Sequence, residues 1–315
     1  MIKEILIQNK VNSLSKRLRF DSEDICITEI DWGSPDIKVQ THENPYQIGI
    51  TRLGVTVKDR EIEIEGKISG SLNSNELNQI TSWEEYYQII ESKIEDSKQK
   101  LIELINVEEE IRLYVSQNLY IDCFPERPVK FGVKEKDNNT ILCKYSIVLI
   151  AFNPCFKETK PAVSMLSGVT PKFKFPLIFK KENPMVFGNL LKYKLLAIEN
   201  LGDVVVGGII KIRFVGKTIN PIVYNVYTEE FIRIDTTIES GSEIQINTSI
   251  GSEEIELTDL EGNKSSLMRY LARGSTFLKF KKGTYLYGYS NENSDEKSME
   301  VSISIEPQYY NFKEM

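Results

Sequence analysis

The sequence predicts a mainly β protein: an N-terminal β domain carrying one long helix, followed by a β-sandwich or jelly-roll domain. Three observations lead there. Short alternating or apolar runs recur along most of the chain. Turn signals such as Glu239-Ser240-Gly241-Ser242, Glu261-Gly262-Asn263 and Lys281-Lys282-Gly283 separate them at a spacing of about ten residues, the pattern of sandwiches and jelly rolls. One segment, near residues 82–106, has helical periodicity instead.

The opening Met1-Ile2-Lys3-Glu4-Ile5-Leu6-Ile7-Gln8 alternates charged and apolar residues as a strand does, and lacks the continuous apolar stretch of a signal peptide. The stretch from Asp31 to Thr51, with Gly33, Pro35, Pro45 and Gly49, reads as a loop long enough to suggest a function. Arg60-Glu61-Ile62-Glu63-Ile64-Glu65-Gly66 alternates strictly, which predicts a half-buried strand with Ile62 and Ile64 inward. Ser82-Trp83-Glu84-Glu85 fits a capping box, and Tyr86, Ile90, Ile94, Leu101 and Ile105 follow at helical spacing. A helix is expected from about Ser82 to Asn106, its apolar stripe packed on its own sheet or, as the alternative, on a neighbouring subunit, with a shorter helical turn beginning at Ser74 or Asn75. After the turn signal Asp137-Asn138-Asn139, Thr140 to Ile150 becomes almost wholly apolar, as a central strand buried on both faces does. The polar, proline-containing Lys157-Glu158-Thr159-Lys160-Pro161 places a domain boundary there, giving domains 1–157 and 158–315. Strands are then expected over Lys174–Lys180, Tyr193–Asn200, Gly208–Val215, Ile222–Tyr227, Phe231–Thr237, Glu243–Asn247, Glu253–Thr258, Thr276–Phe280, Thr284–Ser290 and Met299–Glu306.

The 315 residues suffice for two domains with real cores. The net charge of −7 implies no general attraction to nucleic acid or anionic membrane. No apolar run approaches the roughly 20 residues that span a bilayer. Four scattered cysteines, Cys26, Cys123, Cys143 and Cys155, form no CxxC pair and read as free, mostly buried thiols, in keeping with folding in a cytoplasm.

The search for chemistry leaves no catalytic residue, cofactor or metal site to nominate. The single histidine, His42, has no GxSxG elbow for company, and neither zinc spacing nor a phosphate-binding glycine loop is present. The carboxylates lie mainly on solvated strand and helix faces. Arg269, Arg273, Lys279, Lys281 and Lys282 form a local basic cluster. Tyr285, Tyr287 and Tyr289 share one face of a strand, where an aromatic row either stacks on sugars or packs across strands.

The order of features is itself informative. An opening strand leads through polar loops to the Arg60–Gly66 strand and the helix. Leu119-Tyr120-Ile121-Asp122, Pro128-Val129-Lys130-Phe131 and a long strand ending in Ala151-Phe152-Asn153-Pro154-Cys155-Phe156 follow. A β-rich second half contains Phe231-Ile232-Arg233-Ile234-Asp235 and Leu278-Lys279-Phe280, and closes on Ile303-Ser304-Ile305-Glu306-Pro307-Gln308-Tyr309-Tyr310. Over nearly its whole length this layout resembles the distal tail (Dit-like) proteins of long-tailed phages and the related baseplate proteins of phage tail-like bacteriocins. The resemblance implies a hexamer-forming N-terminal domain and a galectin-like C-terminal sandwich. It implies a non-enzymatic subunit of a virion tail or tail-like particle, assembled in the host bacterial cytoplasm. The implied partners are the tail tube protein, the tail hub or tip protein and a receptor-binding protein. The helix and the Asp31–Thr51 segment are the candidate ring contacts. The alternative reading is a carbohydrate-binding sandwich module of a receptor-binding protein, with the three tyrosines as its platform.

Overall fold

A computed structural model describes residues 4–46, 48–70, 80, 82–137, 140–165, 167–171, 188–192, 195–293 and 298–312. The chain divides into two units: one runs to Thr159 and takes the chain back from Tyr310, and the other is Lys160–Tyr309.

The strands of unit 1 are β1 (Glu4–Asn9), β2 (Ser15–Arg19), β3 (Ile25–Asp31), β4 (Ile37–His42), β5 (Thr51–Val57), β6 (Arg60–Ser69), β7 (Ile111–Tyr114), β8 (Leu119–Pro125), β9 (Lys130–Asp137), β10 (Thr140–Ala151) and β11 (Phe156–Glu158). The main sheet runs β11-β8-β7-β1-β2-β3-β6-β10-β9, and β8 also pairs with β10 through Leu149–Pro125 and Ile150–Phe124. That extra pairing closes β8, β7, β1, β2, β3, β6 and β10 into a barrel. A closed ring of seven strands cannot alternate direction throughout, so one neighbouring pair must be parallel. That pair is β2–β3, joined at Arg19 and Cys26; the other six pairings are antiparallel.

Period-two patterning fills the barrel. In β6, Ile62, Ile64 and Ile68 point inward and Glu61 and Glu65 outward. In β10, Ile147, Val148 and Leu149 are buried in succession, as expected of a strand covered on both faces. Gly66 is required where the Tyr145 ring crosses β6: an added Cβ would lie 2.2 Å from the Cys26 carbonyl oxygen and 2.3 Å from the ring. The Tyr145 hydroxyl donates to that same carbonyl at 3.2 Å.

The one long helix, α1 (Trp83–Leu104), starts as the sequence indicated: the Glu85 amide donates to the Ser82 hydroxyl oxygen at 3.2 Å. Its buried residues Ile90, Ile94, Leu101 and Leu104 join the barrel core, so its apolar stripe is spent on its own unit. The shorter turn expected at Ser74 or Asn75 lies outside the described residues, as does the strand expected at Lys174–Lys180.

Unit 2 contains β12 (Ala162–Met165), β13 (Ser167–Pro171), β14 (Gly188–Lys192), β15 (Leu195–Asn200), β16 (Gly208–Phe214), β17 (Thr218–Ile219), β18 (Ile222–Asn225), β19 (Phe231–Arg233), β20 (Thr237–Ile238), β21 (Glu243–Asn247), β22 (Glu254–Thr258), β23 (Lys264–Ser266), β24 (Gly283–Ser290) and β25 (Met299–Ile305). A sheet ordered β12-β25-β16-β21-β22-β23 faces one ordered β15-β24-β18-β19. Ile210, Ile212, Ile244 and Ile303 from the first meet Ile198, Val223, Ile232 and Tyr287 from the second in one core. Thr276–Phe280 is not a strand. Phe280 makes only an isolated bridge to Val206, while its ring is buried in that core, so burial and not ladder pairing accounts for its apolar character.

A buried cation ties unit 1 together. Arg60 is 1% exposed, and its guanidinium faces main-chain oxygens. Nε donates to Pro154 at 2.9 Å, Nη1 to Trp32 and Gly33 at 3.2 Å each, and Nη2 to Tyr310. The group lies 4.8 Å over the Phe156 ring, and Trp32, Phe156 and Phe312 pack edge to face around it. Removing a buried charged donor leaves its acceptors unpaired, at a cost of about 3 kcal/mol or more. An Arg60→Ala variant is therefore expected to lower the unfolding free energy of unit 1 by that amount, read as a lower urea midpoint; an unchanged midpoint would show the clasp to be dispensable.

Candidate functional site

The most conspicuous surface feature grows from the Arg60 clasp. The Asp31–Thr51 stretch, read from sequence as a loop, contains a strand: β4 pairs with β5 as a separate two-stranded sheet. Its root is fixed by local chemistry. The Gly33 amide donates to the Asp31 carboxylate at 2.9 Å, and the Lys58 amide to the Asp36 carbonyl at 2.8 Å. Gly33 has φ +56°, and a Cβ there would lie 2.1 Å from the Glu61 carbonyl oxygen, so only glycine fits.

The pairing register sorts the hairpin into two faces. Ile37 pairs with Val57, Val39 with Val55 and Thr41 with Arg52, so these side chains share one face. Lys38–Thr56, Gln40–Gly54 and His42–Thr51 make up the other, with Leu53 bulged between Gly54 and Arg52. This is the patterning of a strand pair with one buried face, yet Ile37 is 64% and Val39 48% exposed. The connecting turn carries Tyr46, Ile48 and Ile50, all exposed. Two strands alone are at best marginally stable in water, and a contiguous exposed apolar patch marks an interaction surface. His42 sits at the end of β4, exposed, with Nε2 2.8 Å from the Asn44 side-chain oxygen.

The tyrosine row is largely interior. Tyr287 is 1% and Tyr289 4% exposed, both within the unit 2 core, and Tyr287 lies 5.1 Å from the Phe280 ring. Tyr285 is half-buried and meets Tyr227 edge to face at 6.1 Å. The strand alternation that put the three on one face is real, but that face is turned into the sandwich, so they do not form an open stacking row. The basic cluster is likewise partly neutralised: Lys279 is 3.0 Å from Glu253, Lys282 is 2.8 Å from Asp203, and Arg269 lies over the Tyr270 ring. All four cysteines are free, with Cys123, Cys143 and Cys155 buried. No group of three or more metal-ligating side chains occurs among the described residues. An open groove of about 450 Å³ on the outer face of β6 and β10 mixes Glu63, Glu65, Lys67, Arg127, Lys130 and Lys144. Glu63 there accepts from Ser146 at 3.1 Å and faces Arg127 at 3.9 Å.

Fold and site thus define a β protein of two units that displays an exposed, apolar-faced hairpin. Residues 201–309 match the model of the siphovirus-type tail component, C-terminal domain. The structure of SPP1 Dit, described as a paradigm of the hub adsorption apparatus in phages infecting Gram-positive bacteria, superposes with a TM-score of 0.58 at 10% identity, over 96% of this chain and 98% of that one. The phage P2 baseplate in its activated conformation with calcium covers 97% and 98% of the two chains at 12% identity and a TM-score of 0.40, too loose to bear on the fold. A comparison with curated protein sequences finds no match. Residues 201–309 thus resemble the C-terminal domain of a siphovirus-type tail component, and the chain shares the fold of SPP1 Dit.

Burial pushes the Tyr287 phenol up to about 12. A phenol held neutral in the fold ionises first in the unfolded chain, so its stabilising effect is complete below about pH 10 and is lost as pH rises toward 12. The stability of unit 2 is expected to fall over that window, less steeply in a Tyr287→Phe variant. Identical alkaline profiles for the two proteins would place the ring in contact with water.

Proposed function

We propose that the chain is a structural subunit of a phage-type tail tip or baseplate, closing a hexameric ring that joins the tail tube to the hub and receptor-binding apparatus. Unit 1 forms the ring and unit 2, a galectin-like sandwich, faces outward. The partners are the tail tube protein, the tail hub or tip protein and a receptor-binding protein. The setting is a virion tail or tail-like particle put together in the host bacterial cytoplasm, and the role needs no catalysis.

The observation that carries this reading is the β4–β5 hairpin: two strands patterned for burial on one face, held on a fixed root and left uncovered by the described residues. The family match over residues 201–309 and the Dit fold supply its context. A cyclic ring uses heterologous contacts, one surface of each subunit meeting a different surface of the next. A projecting hairpin is suited to one half of such a contact.

Sedimentation velocity with negative-stain microscopy tests the ring. The purified chain, alone or mixed with its tail tube protein, is expected to give a six-fold ring at six times the 36.2 kDa of one copy. Val39→Glu, which puts a charge on the apolar face, is expected to shift the distribution toward monomer. A wild-type protein that stays monomeric at every concentration, tube protein included, contradicts the proposal.

A further inference from the structure

We propose that the apolar face of the β4–β5 hairpin seats on the far end of unit 1 in a second copy of this chain, on a surface formed by Val11, Leu14, Ile102 and Val107. The inference rests on the ring reading above and adds the identity of the receiving surface.

That surface is assembled by the β1–β2 turn and the end of α1. Asn9 Nδ2 donates to the Leu104 carbonyl at 3.2 Å and to Glu109 at 2.6 Å, and Asn12 Nδ2 donates to the Glu103 carbonyl at 3.4 Å. The Lys10 amide donates to the Glu110 carbonyl at 3.0 Å. These bonds hold the turn against the helix end and bring Val11, Leu14, Ile102 and Val107 to one end of the barrel, where all four are exposed. Its rim is acidic. Lys10 neutralises Glu110 at 2.6 Å, but Glu103 and Glu108 are exposed and take part in no ion pair among the described residues.

The hairpin has the complementary character. Its strands carry Lys38 and Arg52 and no carboxylate, and neither cation has an ion-pair partner among the described residues. Arg52 lies on the apolar face itself, next to Val39 and Val55 in the register. An apolar centre flanked by a cation thus faces an apolar centre flanked by anions. Such pairing fixes orientation and excludes like-charged surfaces.

Strand direction makes the contact one between copies. β2 and β3 run parallel from Arg19 and Cys26. The β1–β2 turn lies before the start of β2, and the hairpin leaves after the end of β3. Ser15 to Arg19 and Cys26 to Asp31 add up to nine residue steps, so the two surfaces are separated along the strands by roughly 30 Å, more than the roughly 20 Å that strands of six or seven residues span. Each copy offers a hairpin at one end and a seat at the other, the arrangement a head-to-tail interface requires.

A photo-crosslinking residue in place of Val39 in the full-length protein tests this, with isotopically heavy and light copies mixed so that crosslinks between copies are recognised by mass. Crosslinks from Val39 to residues 11–14 or 102–107 of a different copy are expected. Arg52→Glu is expected to lower their yield several-fold, and Glu103→Lys with Glu108→Lys in the receiving copy to restore it. Crosslinks between copies that map elsewhere would overturn the proposed seat while leaving the ring intact. Rings without any such crosslink at Val39 would also overturn it. A monomer with no crosslink between copies would overturn both seat and ring.

Discussion

The Arg60 guanidinium is the point on which unit 1 turns. Four main-chain oxygens from three separated parts of the chain converge on it: the exit of β3, the β10–β11 corner and the returning C-terminal segment. A carbonyl cage of this kind compensates a cation without a carboxylate, because the dispersed charge of a guanidinium presents five donors in fixed directions. Arg60 is also the first residue of β6, directly after the hairpin. The same side chain that anchors the returning chain thus braces the base of the surface assigned to assembly.

This coupling gives the hairpin a particular mechanical character. Its root is rigid, set by the positive φ of Gly33, the Asp31 and Asp36 contacts and the clasp beneath. Its body is two strands with no third neighbour among the described residues. A stiff root with a weakly held body presents apolar residues at a defined place while leaving part of their stabilisation to be gained on contact. Parity explains the barrel in a similarly plain way: seven strands force one parallel pair, and the chain meets that demand at the brief β2–β3 junction, where a single residue pair suffices.

Much of this was legible in the sequence, and the exceptions have identifiable causes. The Arg60–Gly66 alternation, the Ser82 cap and the apolar run before Ala151 rest on local patterns that tertiary structure had no reason to override. The hairpin was missed as structure because Gly33, Pro35, Pro45 and Gly49 punctuate a stretch whose own alternation, Ile37-Lys38-Val39-Gln40, is only a few residues long. The burial of Arg60 was invisible, since a charged residue opening an alternating strand is ordinarily solvated, and its partners lie as far as 250 positions away. The tyrosine row was placed correctly on one face, but sequence gives no sign of which face of β24 meets the core. The surface at Val11, Leu14, Ile102 and Val107 comes from two segments some ninety residues apart, joined by Asn9 and Asn12.

On the proposed reading, the chain works through a hairpin completed by another protein. Amide hydrogen exchange over residues 37–57, compared between dilute protein and the assembled ring or tail, tests it most directly. These amides are expected to exchange quickly in the free chain, as a two-stranded sheet with one uncovered face should, and to be strongly protected on assembly, while the β6 and β10 amides change little. Equal exchange across the hairpin in the free and assembled states would contradict it.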